Sequence, residues 1–436
     1  MHPDYRRGRA WTMAALLSLF MFVNFIDKIA IGLAAVPLME EFKLTPSQFG
    51  VLASSFFWLF SMASVLGGFL ANRFSAKWLL IGMALLWSLA QLPILLASSA
   101  TAIVAARVLL GIGEGPAAAI AVHAAYKWFP DEKRSLPVAV IFMGGTLGLI
   151  VAGLAVPHIT RHWGWRANFA ILFAVGLGWA LLWAAFGSEG PLDQAAATDT
   201  PGRAHPRVSY LRLLTDASVA SYLVLHFVAY WSLALMLTWL PVYLQKGLGL
   251  EPVSAGRMFG LIVLLSIPIN IVGTWGSQRL QANGSSDRAS RVLVTTFAVT
   301  VAGTLFIALE LFPMTPMTKV ALLCLAAGLP SIVYSLGPAM LAQIVPPAQR
   351  AALLGIDNGI ATTAAILAPA IMGRLVESST GAIASGYEQG FALSGALLLA
   401  GAVLAWLFIH PERSASRLGE QPGRSEGSPA PRASSY

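Results

Sequence analysis

The sequence predicts an all-α polytopic membrane protein whose twelve transmembrane helices form two pseudo-symmetric six-helix bundles. Three observations support this fold class. Of the 436 residues, 57% are hydrophobic and only 11% are charged, whereas an ordinary soluble domain is about 25% charged. Apolar stretches long enough to cross a bilayer recur along the whole chain. Their order is six spans, a polar segment and six further spans.

Charged residues and clusters of Pro and Gly separate the predicted spans. The spans lie near residues 12–37, 48–71, 78–98, 101–125, 136–159, 166–187, 217–244, 254–276, 290–311, 318–343, 350–375 and 388–409. Between spans six and seven the stretch GSEGPLDQAAATDTPGRAHPR has no apolar periodicity. We therefore predict an N-terminal bundle over 1–188, a cytoplasmic linker over 189–216, a C-terminal bundle over 217–410 and a disordered cytoplasmic tail over 411–436.

Lys and Arg are distributed unequally between the two sides of this layout. With the N-terminus in the cytoplasm, 19 of the 28 basic residues lie in cytoplasmic segments and 7 lie on the other side. This bias predicts a multi-pass protein of the inner (cytoplasmic) membrane with both termini in the cytoplasm. The net charge of +8 therefore belongs to residues that flank the lipid bilayer, and no nucleic-acid partner is expected.

Two pairs of short motifs relate the two halves. GGFLANR (67–73) and GTWGSQR (273–279) both place Gly six residues before Arg. FPDEKR (129–134) and VPPAQR (345–350) both follow a span with a Pro-x-x-x-Arg turn. Together they favour a duplicated six-helix unit, with the functional site at the interface between the halves.

Five charged residues lie too deep in the predicted spans to flank the membrane. They are Asp27 and Lys28 in span one, Arg107 and Glu114 in span four, and Asp357 near the start of span eleven. Each costs about 2.5–3.5 kcal/mol at mid-membrane. One interpretation is structural pairing, for example of Asp27 with Arg107, but buried pairs rarely stabilise more than apolar packing does. Function is therefore favoured for the first four, and capping or a cytoplasmic gate for Asp357.

Helix geometry places these charges on shared faces. Arg107 and Glu114 are two turns apart, about 10.5 Å along one face. Asn24 and Lys28 share a face at i,i+4, with Asp27 alongside. If spans one and four meet, two cations and two acids converge on one cavity.

The chemistry of such a cavity suits an organic anion and protons. Two cations can hold a carboxylate, and two acids can take up and release protons. Gly111 and Gly115 form a G-x-x-x-G pattern, for which close helix packing is the favoured interpretation. No metal-ligand spacing, nucleotide-binding loop or catalytic triad is present in the sequence, so neither an enzyme nor a cofactor is predicted.

Several stretches resemble a known family. NFIDK (24–28), RVLLGIGEGP (107–116), KWFPDEKR (127–134), WGWRANF (163–169) and TWLPVYL (238–244) are similar to the anion:cation symporters of the major facilitator superfamily. Bacterial sugar-acid and aromatic-acid carriers, sialin and vesicular glutamate transporters belong to that family. The resemblance implies a two-bundle rocker-switch fold and proton-coupled transport of organic anions. It places the proton-binding acids on Asp27 and Glu114 and the substrate-side cations on Lys28 and Arg107.

The sequence departs from the family pattern at three places. Lys28 stands where arginine is usual, and Phe60 where sugar-acid carriers tend to have a tyrosine. The loop after span two lacks the usual acid and glycine, which leaves Arg73 as a gating candidate together with Asp357.

Further candidates for substrate contact lie on both halves of the chain. In addition to Asn24 and Phe60 they are His226, Tyr230 and Asn358. A membrane histidine is as often packed and hydrogen-bonded as it is a ligand contact, so both interpretations of His226 stay open. The aromatic character of this set slightly favours an aromatic or less hydroxylated acid.

The sequence thus predicts a monomeric symporter that imports a small organic monocarboxylate with protons by alternating access. The main alternative is an exporter or exchanger of metabolites or drugs from the same superfamily. Paired cations argue against a pocket for lipophilic cations. A membrane sensor that binds ligand without transport is a further alternative, and it would normally carry a sizeable soluble output domain.

Overall fold

A computed structural model describes residues 7–71, 73–130, 133–194, 208–346 and 349–419 of the chain. Residues 131–132 of the stretch KWFPDEKR and the predicted tail beyond residue 419 lie outside this described part. Within it, twelve helices are long and apolar enough to cross a membrane, and no residue is in a strand. The all-α fold class with twelve spans is confirmed.

The twelve spanning helices are numbered in chain order. They are α1 (Arg7–Leu33), α2 (Pro46–Ala71), α3 (Ala76–Leu95), α4 (Ala100–Tyr126), α5 (Ser135–Trp163), α6 (Arg166–Phe186), α7 (Ala217–Thr238), α8 (Pro252–Ala282), α9 (Arg288–Leu311), α10 (Pro316–Ile344), α11 (Ala352–Ser378) and α12 (Ile383–Phe408). Between α1 and α2 lies the short helix Ala35–Phe42.

Helices α4 and α10 occupy corresponding places in the two halves and share two local features. Ser99 caps α4 by accepting from the Ala102 N–H, and Thr315 caps α10 by accepting from the Thr318 N–H. Each helix is interrupted near its middle, beside Pro116 in α4 and beside Pro330 in α10. Proline lacks a backbone donor, so it interrupts the helical ladder. These matched interruptions agree with a duplicated unit.

Helix α4 packs against α2 at the two glycines of the G-x-x-x-G pattern. A Cβ atom on Gly111 would lie 1.9 Å from the carbonyl oxygen of Phe56. A Cβ atom on Gly115 would lie 2.4 Å from the carbonyl oxygen of Phe60. Only glycine permits this backbone approach, and the predicted packing role is confirmed.

The two halves meet at one side of the molecule. We call the side with Arg7 and Gly419 the termini face, and the other side the opposite face. At the opposite face Gly32 of α1 abuts α7, since a Cβ there would lie 2.3 Å from the Leu237 carbonyl oxygen. Three polar contacts lie at the same face: Arg161–Glu251 at 2.7 Å, Lys246–Glu40 at 2.7 Å, and the Ser47 N–H to Glu377 at 3.0 Å.

Elsewhere, polar contact between the halves is sparse. Ser61 of α2 and Thr362 of α11 form one hydrogen bond near the middle of the spans. Among the described residues of the termini face, no hydrogen bond or ion pair joins the two halves. The structure is therefore closed at the opposite face.

The beginning of the C-terminal tail differs from the prediction of disorder. Pro411–Gly419 forms a helix, with Leu418 buried. The Ser414 hydroxyl donates to Ser218 Oγ at 2.8 Å, and Arg212 donates to the Arg417 carbonyl at 2.8 Å. Composition alone suggested disorder, but these tertiary contacts with residues near the start of α7 order the segment.

Candidate functional site

The four deep charges of α1 and α4 lie together in what we call the charged cluster, defined as Asp27, Lys28, Arg107 and Glu114. Asp27, Arg107 and Glu114 are almost fully buried, with 2%, 1% and 1% exposure. Lys28 is half-buried. The predicted meeting of spans one and four thus occurs.

Asn24 joins the charges of the two helices. Lys28 Nζ donates to Asn24 Oδ1 at 2.7 Å, and Asn24 Nδ2 donates to Glu114 Oε2 at 2.9 Å. Asn24 was predicted to face substrate, and in this structure its whole amide is engaged within the cluster. The other oxygen of Glu114, Oε1, is buried and accepts no hydrogen bond from the described residues.

Asp27 has a partner that the sequence reasoning missed. Gln91 of α3 is fully buried, and its Nε2 donates to Asp27 Oδ1 at 2.6 Å. Asp27 Oδ2 has no hydrogen-bond partner among the described residues. A lone amide within an otherwise apolar span was the available signal, because buried amides require partners.

Arg107 is a buried cation that forms no ion pair with the described side chains of the cluster. Its guanidinium carbon lies 4.6 Å from the centre of the Phe56 ring, and its Nε is buried and has no hydrogen-bond partner in the described part of the chain. Among the four described side chains of the cluster no ion pair forms, so the Asp27–Arg107 pairing considered from the sequence is not present. A buried cation without a paired anion is costly to keep, and its Nε–H has no partner among the described residues.

Aromatic rings surround the second cation and reach across to the other half. Lys28 Nζ lies 4.6 Å from the centre of the Phe25 ring and 5.4 Å from that of Phe60, as in cation–π contacts. Phe57 of α2 faces Tyr230 of α7, with 6.4 Å between ring centres. Phe57 also lies 5.7 Å from Phe60, measured between ring centres. Phe60, Phe57 and Tyr230 thus form a row of rings between the halves, which we call the aromatic path, and it contains both Phe60 and Tyr230, which were predicted to contact substrate.

Asp357 and His226 form a second buried group in the C-terminal half. His226 Nδ1 lies 2.9 Å from both Asp357 oxygens, and the Tyr222 hydroxyl donates to Asp357 Oδ2 at 3.2 Å. Helix capping by Asp357 is excluded, because it lies two turns inside the helix and its side chain faces α7. Tyr222 was missed, although the Tyr222, His226, Tyr230 spacing places all three on one face.

The remaining predicted residues, Asn358 and Arg73, lie outside these two buried groups. Asn358 is half-buried on α11, and its backbone carbonyl accepts from the Thr362 hydroxyl at 2.8 Å. Arg73 is exposed at the termini end of α2. No group of three or more potential metal ligands occurs in the part of the chain that the structure describes.

Comparison with known proteins agrees with this architecture. A family model described as Major Facilitator Superfamily matches residues 17–286 and 284–433. The chain is 30% identical over 324 residues to a probable sulfoacetate transporter of Cupriavidus necator, which covers 71% of this chain and 74% of that protein. It is 31% identical over 249 residues to a hexuronate transporter of Bacillus subtilis, which covers 54% of this chain and 58% of that protein.

A solved structure shares the whole fold. It is a bacterial homologue of the human lysosomal transporter Spinster, in an inward-facing and occupied conformation, and its TM-score is 0.78. The likeness covers 96% of this chain and 100% of that chain at 18% identity. The fold and these matches define a multi-pass membrane transporter and not an enzyme. The chain belongs to the Major Facilitator Superfamily, as the sequence resemblance implied.

Proposed function

We propose that the protein is a proton-coupled symporter that imports a small organic monocarboxylate by alternating access. The observation that carries this proposal is Arg107, a buried guanidinium that pairs with neither acid of the charged cluster. The similarity to a probable sulfoacetate transporter and a hexuronate transporter supports an organic anion as cargo.

Arg107 and Lys28 are the proposed anion-binding residues. A guanidinium presents paired donors that match a carboxylate, whereas the Lys28 ammonium acts as a point charge. His226, Tyr230, Asn358 and Phe60 are proposed to contact the rest of the substrate from both halves. A monomer is the proposed transporting unit.

Charge balance supports coupling to protons. With all four members ionised, the charged cluster has no net charge. An incoming monocarboxylate adds one negative charge in a site of low dielectric constant, where uncompensated charge is costly. One proton on Asp27 or Glu114 restores neutrality, and each acid has one oxygen without a partner to receive it. A second proton would let the inside-negative membrane potential drive uptake.

The conformation supports alternating access. The excess of Lys and Arg at the termini face supports placing that face in the cytoplasm and the protein in the cytoplasmic membrane. On this assignment the halves are closed toward the outside, whereas no hydrogen bond or ion pair joins their described residues on the cytoplasmic side. In the outward-open state the contacts of the opposite face would separate, and Arg73 and Asp357 are proposed to act in gating the cytoplasmic side.

Uptake of labelled organic acids into proteoliposomes with an alkaline lumen tests the proposal. Wild-type protein is expected to accumulate acid above the external concentration. Glu114→Gln is expected to lose accumulation and retain exchange of internal for external acid, because binding persists without proton release. Full accumulation by this variant would exclude Glu114 as a coupling residue.

The same vesicle assay distinguishes a symporter from the alternative functions. An exporter or exchanger would expel or swap the acid without gradient-driven accumulation. A membrane sensor would bind the acid and carry no flux.

A further inference from the structure

A small cavity lies at the interface between the two halves of the chain. It is enclosed by α7, α8 and α10 of the C-terminal half, with Leu149 of α5 closing it from the N-terminal half. Its volume is about 110 Å³. Most of its wall is apolar, as with Leu149, Met236 and Phe259. The cavity therefore spans the interface that alternating access must open and close.

Two hydroxyls in this apolar wall have no partner. Ser232 and Tyr334 both line the cavity, and their hydroxyl oxygens are buried and form no hydrogen bond with the described residues. Ser232 is only 3% exposed. Buried polar groups are nearly always hydrogen-bonded, so an unpartnered pair in one cavity indicates a place where a ligand supplies the missing group.

Two routes through packed side chains connect the cavity with the charged cluster. The Phe25 ring, which lies under the Lys28 ammonium, packs on α5 so closely that a Cβ on Gly145 would lie 2.7 Å from it. Leu149 follows one helical turn later. On the other route, the Tyr334 ring lies 6.4 Å from that of Tyr230, which faces Phe57 of the aromatic path.

We propose that this cavity receives the uncharged body of the substrate while Lys28 and Arg107 hold its carboxylate. The substrate class is then a monocarboxylate with a small aryl or branched alkyl body, and the hydroxyls of Ser232 and Tyr334 recognise one polar group at its far end. This inference rests on the proposed organic-anion transport and adds the determinant of specificity.

Size and polarity support this class over polyhydroxylated acids. An engineered apolar cavity of about 150 Å³ holds a benzene ring. The present cavity is somewhat smaller, at about 110 Å³, so it suits a branched chain or one tightly packed small ring. Four residues of the wall have a hydroxyl, but those of Ser266 and Ser331 already donate to backbone carbonyls. A sugar acid would bring several hydroxyls into this wall, and most of them would lose hydrogen bonds to water without full replacement. The chain is therefore expected to differ in specificity from the hexuronate transporter that it resembles.

Binding of four acids to the purified full-length protein tests the proposal. The probes are phenylacetate, 4-hydroxyphenylacetate, D-gluconate and acetate, with affinities measured by calorimetry or by competition with a labelled acid. Wild-type protein is expected to bind phenylacetate at least tenfold more tightly than gluconate, and 4-hydroxyphenylacetate about tenfold more tightly than phenylacetate. Tyr334→Phe is expected to remove the advantage of the ring hydroxyl.

Ser232→Leu fills the cavity and is expected to weaken phenylacetate binding at least tenfold while acetate binding stays unchanged. Val224→Leu, at an exposed position of the same helix, is the matched control and should change neither. If Ser232→Leu does not fold, the order of the four wild-type affinities and the result for Tyr334→Phe still test the proposal.

Two results would overturn the inference. One is gluconate binding as tightly as phenylacetate to wild-type protein. The other is an equal change in all four affinities in the folded Tyr334→Phe or Ser232→Leu variants. Arg107→Ala is measured with the same four acids. If none of them binds wild-type protein, or if Arg107→Ala leaves their binding unchanged, the proposed function itself fails, and this outcome is distinct from loss of selectivity among acids that do bind.

Discussion

The Lys28 ammonium is stabilised by one amide oxygen and two aromatic rings. It donates to Asn24 and lies over the rings of Phe25 and Phe60. An ammonium has three N–H donors, of which one bonds to Asn24, and ring faces supply part of the electrostatic stabilisation that water would give. Its charge can therefore remain in a largely apolar place and still attract an anion.

Two substitutions of Lys28 test whether uptake requires the charge of this side chain or its exact shape. We expect Lys28→Arg to keep acid uptake within about threefold of wild type, because the charge is retained and guanidinium groups also pack on aromatic faces. Lys28→Met is expected to lose uptake, because it removes one of the two cations. Initial rates in proteoliposomes would measure both variants. Equal activity of Lys28→Met and wild type would show that this charge is not needed.

At the residue level, the sequence located the charges but not their partners. Asp27, Arg107 and Glu114 stand out because a charge in an apolar span is costly and rare. Gln91 lies in another span, and its bond to Asp27 depends on how α3 packs against α1. No local pattern encodes that packing. The same holds for the hydrogen bond from Tyr222 to Asp357, which joins α7 to α11.

At the level of the element, the contact between α2 and α4 positions two members of the charged cluster. Gly111 lies between Arg107 and Glu114 and touches the backbone of α2 at Phe56. The close approach brings the Phe56 ring to the Arg107 guanidinium. The spacing of the glycines predicted this packing, because small residues four apart form one smooth face on a helix.

Gly111→Ala should therefore disrupt the α2–α4 contact. Its added Cβ would meet a backbone oxygen at 1.9 Å, so one helix must shift. We expect a lower melting temperature in detergent, or loss of folded protein. Gly82→Ala is the matched control, since a Cβ there meets nothing within 4 Å, and it should leave the melting temperature unchanged. Equal melting temperatures for both variants would contradict the packing described.

A second element-level contact joins the helix Ala35–Phe42 to the start of α6. Arg166 pairs with Glu41 at 2.6 Å, and the Trp165 indole donates to the same carboxylate at 2.7 Å. Hydrogen bonds from Arg166 and then Trp165 hold the pKa of Glu41 below its usual value of 4.5. Glu41 is 42% exposed, so the contribution to stability is at most about 1 kcal/mol.

Because the pKa of Glu41 is lowered, the stability that its contacts give to the folded state depends on pH. A carboxylate whose pKa is lowered on folding stabilises the native state above its unfolded pKa, and this stabilisation is lost as the pH falls through the folded pKa. Wild type should thus melt at a slightly higher temperature than Glu41→Gln at pH 7, and the difference should shrink below pH 4.5. Glu310→Gln, at an exposed position, controls for loss of charge. A difference independent of pH would contradict this account.

At the scale of the whole molecule, the closed opposite face defines the state of the transporter. The backbone contact at Gly32 and the ion pairs Arg161–Glu251 and Lys246–Glu40 hold the halves together there. Exposed ion pairs contribute little to stability individually. This suits the proposed opening of the face during transport, because few strong contacts have to be broken.

Covalent closure of this face should stop transport. In a Cys324→Ser background, cysteines replacing Glu40 and Lys246 and joined by a short bifunctional reagent with a cleavable disulfide would lock the halves. We expect uptake to fall to the level of empty liposomes and to return after reduction. Each single cysteine treated in the same way serves as control and should remain active. Unchanged uptake by the cross-linked protein would exclude opening at this face during transport.

The overall fold could be predicted because its determinants are local and numerous. Twelve long apolar stretches and the matched motifs of two halves suffice to define it, whatever the packing in detail. The conformational state could not be predicted, since a transporter sequence must support both open and closed arrangements of the same halves. The helix Pro411–Gly419 was missed for a related reason, because its order depends on contacts such as Ser414 with Ser218.

The central claim is that the charged cluster binds an organic anion through Arg107. A thermal-shift screen of organic acids on wild type, Arg107→Ala and Arg374→Ala tests it most directly. A ligand at one hundred times its Kd stabilises the folded state by about 2.7 kcal/mol. We predict that at least one acid raises the melting temperature of wild type and of Arg374→Ala, whose native side chain is exposed on α11, but not that of Arg107→Ala. An equal shift in all three proteins would contradict the account.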